Sequence, residues 1–260
     1  MSDVKIFHGQ LGFLGTRLQV FLYLVDGLLI DSGPSRLQKS IAVFCEQHKP
    51  ELIVHTHFHE DHTGNTAFLC RQHGIPAYIH KSALEICRQK ARLPLYRRLF
   101  WGSRPAFEPQ PLGETISGRT IDWEVIPTPG HSHDHIVLLD KQHGRLFSGD
   151  LYLHHKTRVV MRPENMPRLM RSLRHLLSKD FDTIYCAHAG VVKNAHRLIQ
   201  QKLAHLEELQ EQVRQLSARG LNIKQINRKL FPQTPTITYV SSGEWSSLHI
   251  VRSLLEDRAE

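Results

Sequence analysis

The sequence predicts an α/β protein, a layered α/β/β/α body followed by a helical extension. Three observations carry that prediction. The chain opens on strand-like alternation through a tight turn, continues with short apolar runs that alternate with segments of helical period, and closes on a stretch where only helical period persists. Residues 18–29 alternate and pass through Val25-Asp26-Gly27-Leu28, a two-residue hairpin signal, so the chain opens as antiparallel β. Helical patterns follow at 36–47, 64–73, 81–91 and 164–178. Between them Leu52-Ile53-Val54, Trp123-Glu124-Val125-Ile126, Arg145-Leu146-Phe147 and residues 182–188 have the length and composition of strands. With 260 residues and 40% hydrophobic composition, the chain can bury one sizeable core plus a small appendage.

After Gly190 no strong strand hairpin is expected. Ile199, Leu203, Leu206, Leu209, Val213 and Leu216 recur every three or four residues, one stripe of a helix that stops near Arg219-Gly220. Asn222 caps a shorter helix through Leu230, and residues 246–255 read as a third. The expected organisation is therefore a catalytic body over residues 1–192 and a helical extension over 193–260. The stripe suits packing on its own domain first and a homodimer second. Tyr239 and Trp245 are candidates either to reach a pocket or to fill the core.

The densest chemistry lies at His57-Phe58-His59-Glu60-Asp61-His62, three imidazoles and two carboxylates in six residues after the apolar run 52–54. In an extended segment residues 57 and 59 point the same way, so both imidazoles can grip one cation. Asp61 and His62 lie beyond the strand end, where the turning chain can aim them at a second. Six residues cannot close two coordination spheres, so other loops must return ligands. Pro127-Thr128-Pro129-Gly130-His131 ends one strand in a Pro/Gly turn, Phe147-Ser148-Gly149-Asp150 ends another in a carboxylate, and the run 182–190 stops at His188 before a glycine.

Histidine alone is a weak signal, since the chain has 19 of them. His8, His48, His73, His80, His143, His175, His196, His205 and His249 read as ordinary surface or core residues. His55, His133, His135, His154 and His155 sit beside the motifs without an assigned slot, and His133 or His135 is suited to bonding a ligand carboxylate from behind.

THFHEDHTGN at 56–65, PTPGHS at 127–132, SGD at 148–150 and CAHAG at 186–190 together resemble the metallo-β-lactamase-fold hydrolases, in particular the glyoxalase II-like and small β-lactamase-like branch. The resemblance spans roughly the first three-quarters of the chain. It implies that His57, His59 and His131 hold one metal, that Asp61, His62 and His188 hold a second, and that Asp150 bridges both. It further implies two divalent cations, zinc first with iron or manganese tolerated, which share a water and pull its pKa toward neutrality. Asp61 then has a catalytic duty as well, orienting that nucleophile. Two features depart from common family forms: alanine where glycine often precedes His188, and the very polar turn Ser132-His133-Asp134-His135. Glutathione-recognising basic residues cannot be matched.

The expected activity is hydrolysis of a small ester, thioester or lactone, with an anionic or ester-type small molecule as the partner. The alternative is a metal-dependent phosphodiesterase or endoribonuclease acting on single-stranded RNA or other nucleic acid. The net charge of +8 and the basic runs Arg88-Lys90-Arg92-Arg97-Arg98-Arg104 and Lys156-Arg158-Arg162-Arg168-Arg171-Arg174 favour any anion, but no aromatic-rich RNA-binding motif interleaves them. A non-catalytic metal- or DNA-binding role ranks third, because seven retained ligands suggest use. Cys45, Cys70, Cys87 and Cys186 lack paired Cys-x-x-Cys spacing and read as buried free thiols. The opening residues show no basic segment followed by a long apolar run, and no stretch reaches the ~18 apolar residues of a membrane span. A soluble, cytoplasmic protein is expected.

Overall fold

A computed structural model describes residues 3–13 and 16–256; Met1 and Ser2 of the opening segment and the last four residues of the expected extension lie outside them. The chain divides into two compact units. The first comprises Met1–Pro127, Asp134–Leu153 and Asp180–Lys193, and the second Thr128–His133, His154–Lys179 and Asn194–Glu260.

The first unit holds two six-stranded sheets. In one, β1 (Lys5–Phe13), β2 (Thr16–Val25), β3 (Leu28–Ile30), β4 (Leu52–Val54), β5 (Ala77–His80) and β6 (Gln110–Leu112) lie in chain order. β1 to β3 are antiparallel and β3 to β6 parallel. The expected hairpin is present: Val25 pairs with Leu28, and Asp26 and Gly27 take φ of 54° and 85°, the left-handed pair that a two-residue turn demands. Parallel strands require crossovers, and helices supply them here. They are α1 (Gln38–His48) after β3, α2 (Glu60–Thr63) and α3 (Thr66–His73) after β4, then α4 (Leu84–Cys87) and α5 (Leu95–Trp101) after β5. The helical pattern at 81–91 thus yields only a short helix, and α5 was not foreseen.

β2 shows how alternation becomes layering. Val20, Leu22 and Leu24 pack with Ile41 and Phe44 of α1 and Leu69 of α3, whereas Tyr23 and Val25 turn to the other face and meet Trp123, Val125, Ile136, Leu138 and Phe147 of the second sheet. A strand buried on both faces reads as a continuous apolar run, as β2 does from Val20 onward. The second sheet contains β7 (Thr115–Ser117), β8 (Asp122–Pro127), β9 (Ile136–Asp140) and β10 (Arg145–Gly149). After β11 (Val160–Met161), which belongs to the second unit, it is completed by β12 (Thr183–Cys186) and β13 (Gly190–Val192), in the order β13-β12-β10-β9-β8-β7. Sequence reading expected no hairpin after Gly190, yet β13 returns antiparallel to β12 with Cys186 opposite Gly190. The glycine at φ 73° makes so tight a return affordable.

The second unit is mainly helical: α6 (Met166–Leu176), α7 (Ala195–Ala218), α8 (Ile223–Leu230), α9 (Thr236–Val240) and α10 (Ser247–Leu255), with β14 (Trp245–Ser246) paired to β11. All six stripe residues of α7 are buried, and α6, α8 and α10 pack against that helix. Asn222 caps α8 through a reciprocal pair with Gln225, and the Ser246 hydroxyl accepts from Leu248 N–H to start α10. Tyr239 is 73% exposed, so it is no core aromatic. No helix among the described residues is long and apolar enough to cross a membrane.

Candidate metal centre

The chain leaves β4 at Val54 and runs without regular structure to His59, so the extended strand expected for 57 and 59 is a loop. Their rings nevertheless converge, with His57 Nε2 and His59 Nδ1 3.0 Å apart. His59 is extended (φ −61°, ψ 153°), and α2 starts immediately after it, which places Asp61 and His62 on one tight helical turn. Thr63 Oγ1 donates to the His59 carbonyl at 2.9 Å, and Asn65 Nδ2 donates to the carbonyls of Ser32, Gly33 and Pro34, tying this turn to the loop after β3. Gly64 is required there: a Cβ would meet Gly33 O at 2.9 Å and Ser35 N at 2.7 Å.

Two further loops of the first unit complete a cluster. Asp150 follows β10, where a register shift and Gly149 at φ 47° turn the chain out of the sheet. His188 lies in the turn between β12 and β13 rather than at a strand end, since the strand stops at Cys186. One ligand atom each from Asp61, His62, Asp150 and His188 falls within 4.8 Å of the others. His188 Nε2 is 3.3 Å from Asp61 Oδ2 and 3.4 Å from Asp150 Oδ1, and His62 Nε2 is 3.4 Å from Asp150 Oδ1 and 3.8 Å from Asp61 Oδ2. Four donors about 2.1 Å from a central ion in a tetrahedron lie about 3.4 Å from one another. The cluster therefore has the spacing of a coordination sphere.

Both histidines are oriented from behind. His62 Nδ1 donates to Asp31 Oδ2 at 2.7 Å, and His188 Nδ1 donates to the Gln19 carbonyl at 2.7 Å. Each bond fixes the tautomer that turns a lone pair on Nε2 toward the cluster. His62 Nε2 is buried and makes no hydrogen bond, a cost that a cation would remove. His131, in the second unit, repeats the device: its Nδ1 is 3.1 Å from Glu164 Oε2, while Glu164 Oε1 accepts from Met161 N–H.

The local charge is strongly structured. Burial works to raise the Asp61 carboxyl, but the facing His62 and His188 rings outweigh it and hold the group well below the usual carboxylate range. Burial likewise opposes charge on His188, yet Asp150 and Asp61 win and push the imidazole up to about 9. Asp31 is fully buried and also kept ionised, its burial outweighed by His62 and His55.

Asp31 was missed in the sequence, although a signal existed. Leu28-Leu29-Ile30-Asp31-Ser32-Gly33 repeats the pattern of apolar strand, carboxylate and tight turn seen around Asp150. Its carboxylate also accepts from Thr56 N–H and Thr56 Oγ1, both at 2.9 Å, so a single buried anion aligns the whole loop. His135 supports Asp150 by accepting its backbone N–H at 3.2 Å, whereas His133 is exposed and His55 bonds Thr66 Oγ1.

Several residues of the basic runs are committed within the chain. Arg88 pairs with Glu85 and Glu108, Arg104 is buried against the carbonyls of Ile86 and Cys87, and Arg174 pairs with Glu207. Arg97 grips buried Glu60 with Nε to Oε1 at 2.6 Å and Nη2 to Oε2 at 2.7 Å. Arg97→Ala is expected to destabilise the fold by about 3–5 kcal/mol, because it strands a buried carboxylate, and adding Glu60→Gln should restore much of the loss. Urea unfolding of the single and double variants checks this; a single variant as stable as the parent refutes it. The four cysteines are free thiols, Cys45, Cys87 and Cys186 buried and Cys70 half-buried, and burial pushes Cys45 and Cys87 up to about 12. Cys186 Sγ donates to the Tyr152 carbonyl at 2.7 Å and is thus a packed thiol.

Carboxylates and imidazoles gathered at the loop ends of a pair of sheets have the donor types and the spacing of a metal site. A family model, the metallo-beta-lactamase superfamily, matches residues 15–188, and the chain belongs to that superfamily. Among curated proteins it is similar to an atrochrysone carboxyl ACP thioesterase of Aspergillus fumigatus, 28% identical over 209 residues, 79% of this chain and 60% of that one. The chain thus spans less than two thirds of that relative. Among solved structures, a beta-lactamase domain protein from Burkholderia ambifaria superposes with a TM-score of 0.72 at 17% identity, covering 97% of this chain and 86% of that one. A protein solved in a di-iron-bound form, TTHA1623, has a TM-score of 0.56 at 27% identity over 74% of this chain and 96% of its own.

Proposed function

We propose that the protein is a dinuclear hydrolase of small thioesters. Asp61, His62 and His188 hold one cation, His57, His59 and His131 hold the other, and Asp150 is shared between them. The observation that carries this reading is the ion-sized spacing of Asp61, His62, Asp150 and His188, with both imidazoles pre-set in the ligating tautomer. A di-iron-bound relative supports a pair of ions, and a relative named as an acyl-carrier thioesterase supports thioester over lactone. Zinc is the first choice and iron the second, since His/carboxylate sets accept either.

Bound cations supply an activated water at neutral pH and polarise the scissile carbonyl. The chain's own residues do the rest. Asp61, kept ionised by its neighbours, accepts a proton-bearing edge of the attacking water and sets its approach to the carbonyl carbon. Asp31 and the Gln19 carbonyl hold His62 and His188 rigid, so that alignment costs nothing during turnover.

The test is a panel of uncharged acyl thioesters, lactones, phosphodiesters and single-stranded RNA, assayed from about 50 to about 200 mM salt. Thioester turnover with little salt dependence is expected, because several of the arginines are already paired within the chain. RNA cleavage that falls steeply with salt, with no thioester turnover, refutes the proposal.

A further inference from the structure

We infer that Trp101 determines acyl specificity, its indole forming a fixed wall beside the metal ligands against which a planar, apolar acyl group stacks. This rests on the thioesterase reading above. Trp101 closes α5, and its ring centroid lies 5.7 Å from that of His188 with the planes inclined by 39°. The coordination geometry does not require an aromatic there, since His188 is already oriented by the Gln19 carbonyl. The indole packs in part against the core of the first sheet, and the half-buried ring adds an apolar surface beside a group of ionised side chains.

That wall is anchored at three points. Arg97 stands four residues before Trp101 and so shares its side of the helix, and it clamps α5 to Glu60, the residue next to Asp61. Arg36 Nη1 donates to the carbonyls of Leu99 and Phe100, at 2.5 and 3.2 Å, and Ser103 N–H donates to Ser35 Oγ at 2.9 Å, so the end of α5 is fixed to the turn after β3. Within α5, buried Phe100 and Tyr96 pack edge to face at a centroid distance of 6.3 Å. These bonds join helix α5 and the residue after its end to the same loops that carry Asp31 and Asp61. A substrate whose carbonyl reaches Asp61 and His188 therefore meets the Trp101 face with its acyl body, and a flat, conjugated group gains more from that face than a methyl does.

The experiment compares the acetyl, hexanoyl and cinnamoyl thioesters of one small thiol on the parent, Trp101→Phe and Trp101→Ala, with metal content measured for each. The cinnamoyl-to-acetyl ratio of kcat/KM is expected to fall about tenfold in Trp101→Ala, mainly through KM, and to be largely kept in Trp101→Phe. A non-hydrolysable cinnamyl thioether, added to a Trp245→Phe background, supplies a readout independent of turnover: it should quench tryptophan emission there and much less once Trp101→Phe is added, because the remaining Trp123 is fully buried. An unchanged ratio in Trp101→Ala, or a uniform fall on all three substrates together with lost metal, overturns the assignment while leaving the thioesterase reading intact. If the parent hydrolyses none of the three, that reading fails and this assignment falls with it.

Discussion

Asp61→Ala is expected to lower kcat/KM for a thioester by a factor on the order of 100 or more, the largest single effect any side chain of the site should show. The carboxylate is asked to do two things at once. In the proposed mechanism it closes the sphere with His62, Asp150 and His188, its Oδ2 standing 3.3 Å from His188 Nε2, and it orients the attacking water. Removing it also takes away one of the two anions that push His188 up to about 9. Asp61→Asn separates the roles, because an amide keeps the shape and one acceptor but loses the charge. Elemental analysis of both variants beside steady-state kinetics decides the matter: full activity in Asp61→Ala, on whichever substrate the parent turns over, refutes the assigned role.

Removing the metal should abolish turnover and reshape stability against pH. In metal-free protein His188 has a folded pKa of about 9, above its ordinary value near 6.5, so its contribution is fully present below about pH 6.5 and lost as the pH rises through about 9. The chelated protein should therefore lose thermal stability progressively across that window. Cations need the same nitrogen unprotonated, so metal binding should release protons and tighten over the same range. The two forms diverge with rising pH. At a free metal concentration 100 times Kd the loaded form gains about 2.7 kcal/mol. Thermal unfolding at several pH values, with chelator and with zinc, tests both signs; parallel curves would show that no proton is displaced.

How far the chain could be read from its residues is clearest at particular places. The Asp26-Gly27 turn, the α7 stripe, the Asn222 cap, the Gly220 stop and the last helix were all legible, because each depends on neighbours a few residues away. That Asp61, His62, Asp150 and His188 gather was legible for another reason: their segments follow apolar runs at turns, and their motif order resembles a known family. Helix α5 was not legible. Its seven residues carry two apolar side chains that stay exposed, Leu95 and Leu99, and it is held by Glu60, 37 residues before Arg97.

The sequence by itself determined the fold class and which side chains could meet a cation, since periodicity, turn chemistry and donor type are local properties. Only the tertiary structure decided that His57 and His59 converge from a loop, that Asp31 and Gln19 choose the tautomers of His62 and His188, and that an indole stands beside the ligands. Those facts depend on distances between residues as far apart as Gln19 and His188, which folding sets and no stretch of neighbouring residues encodes.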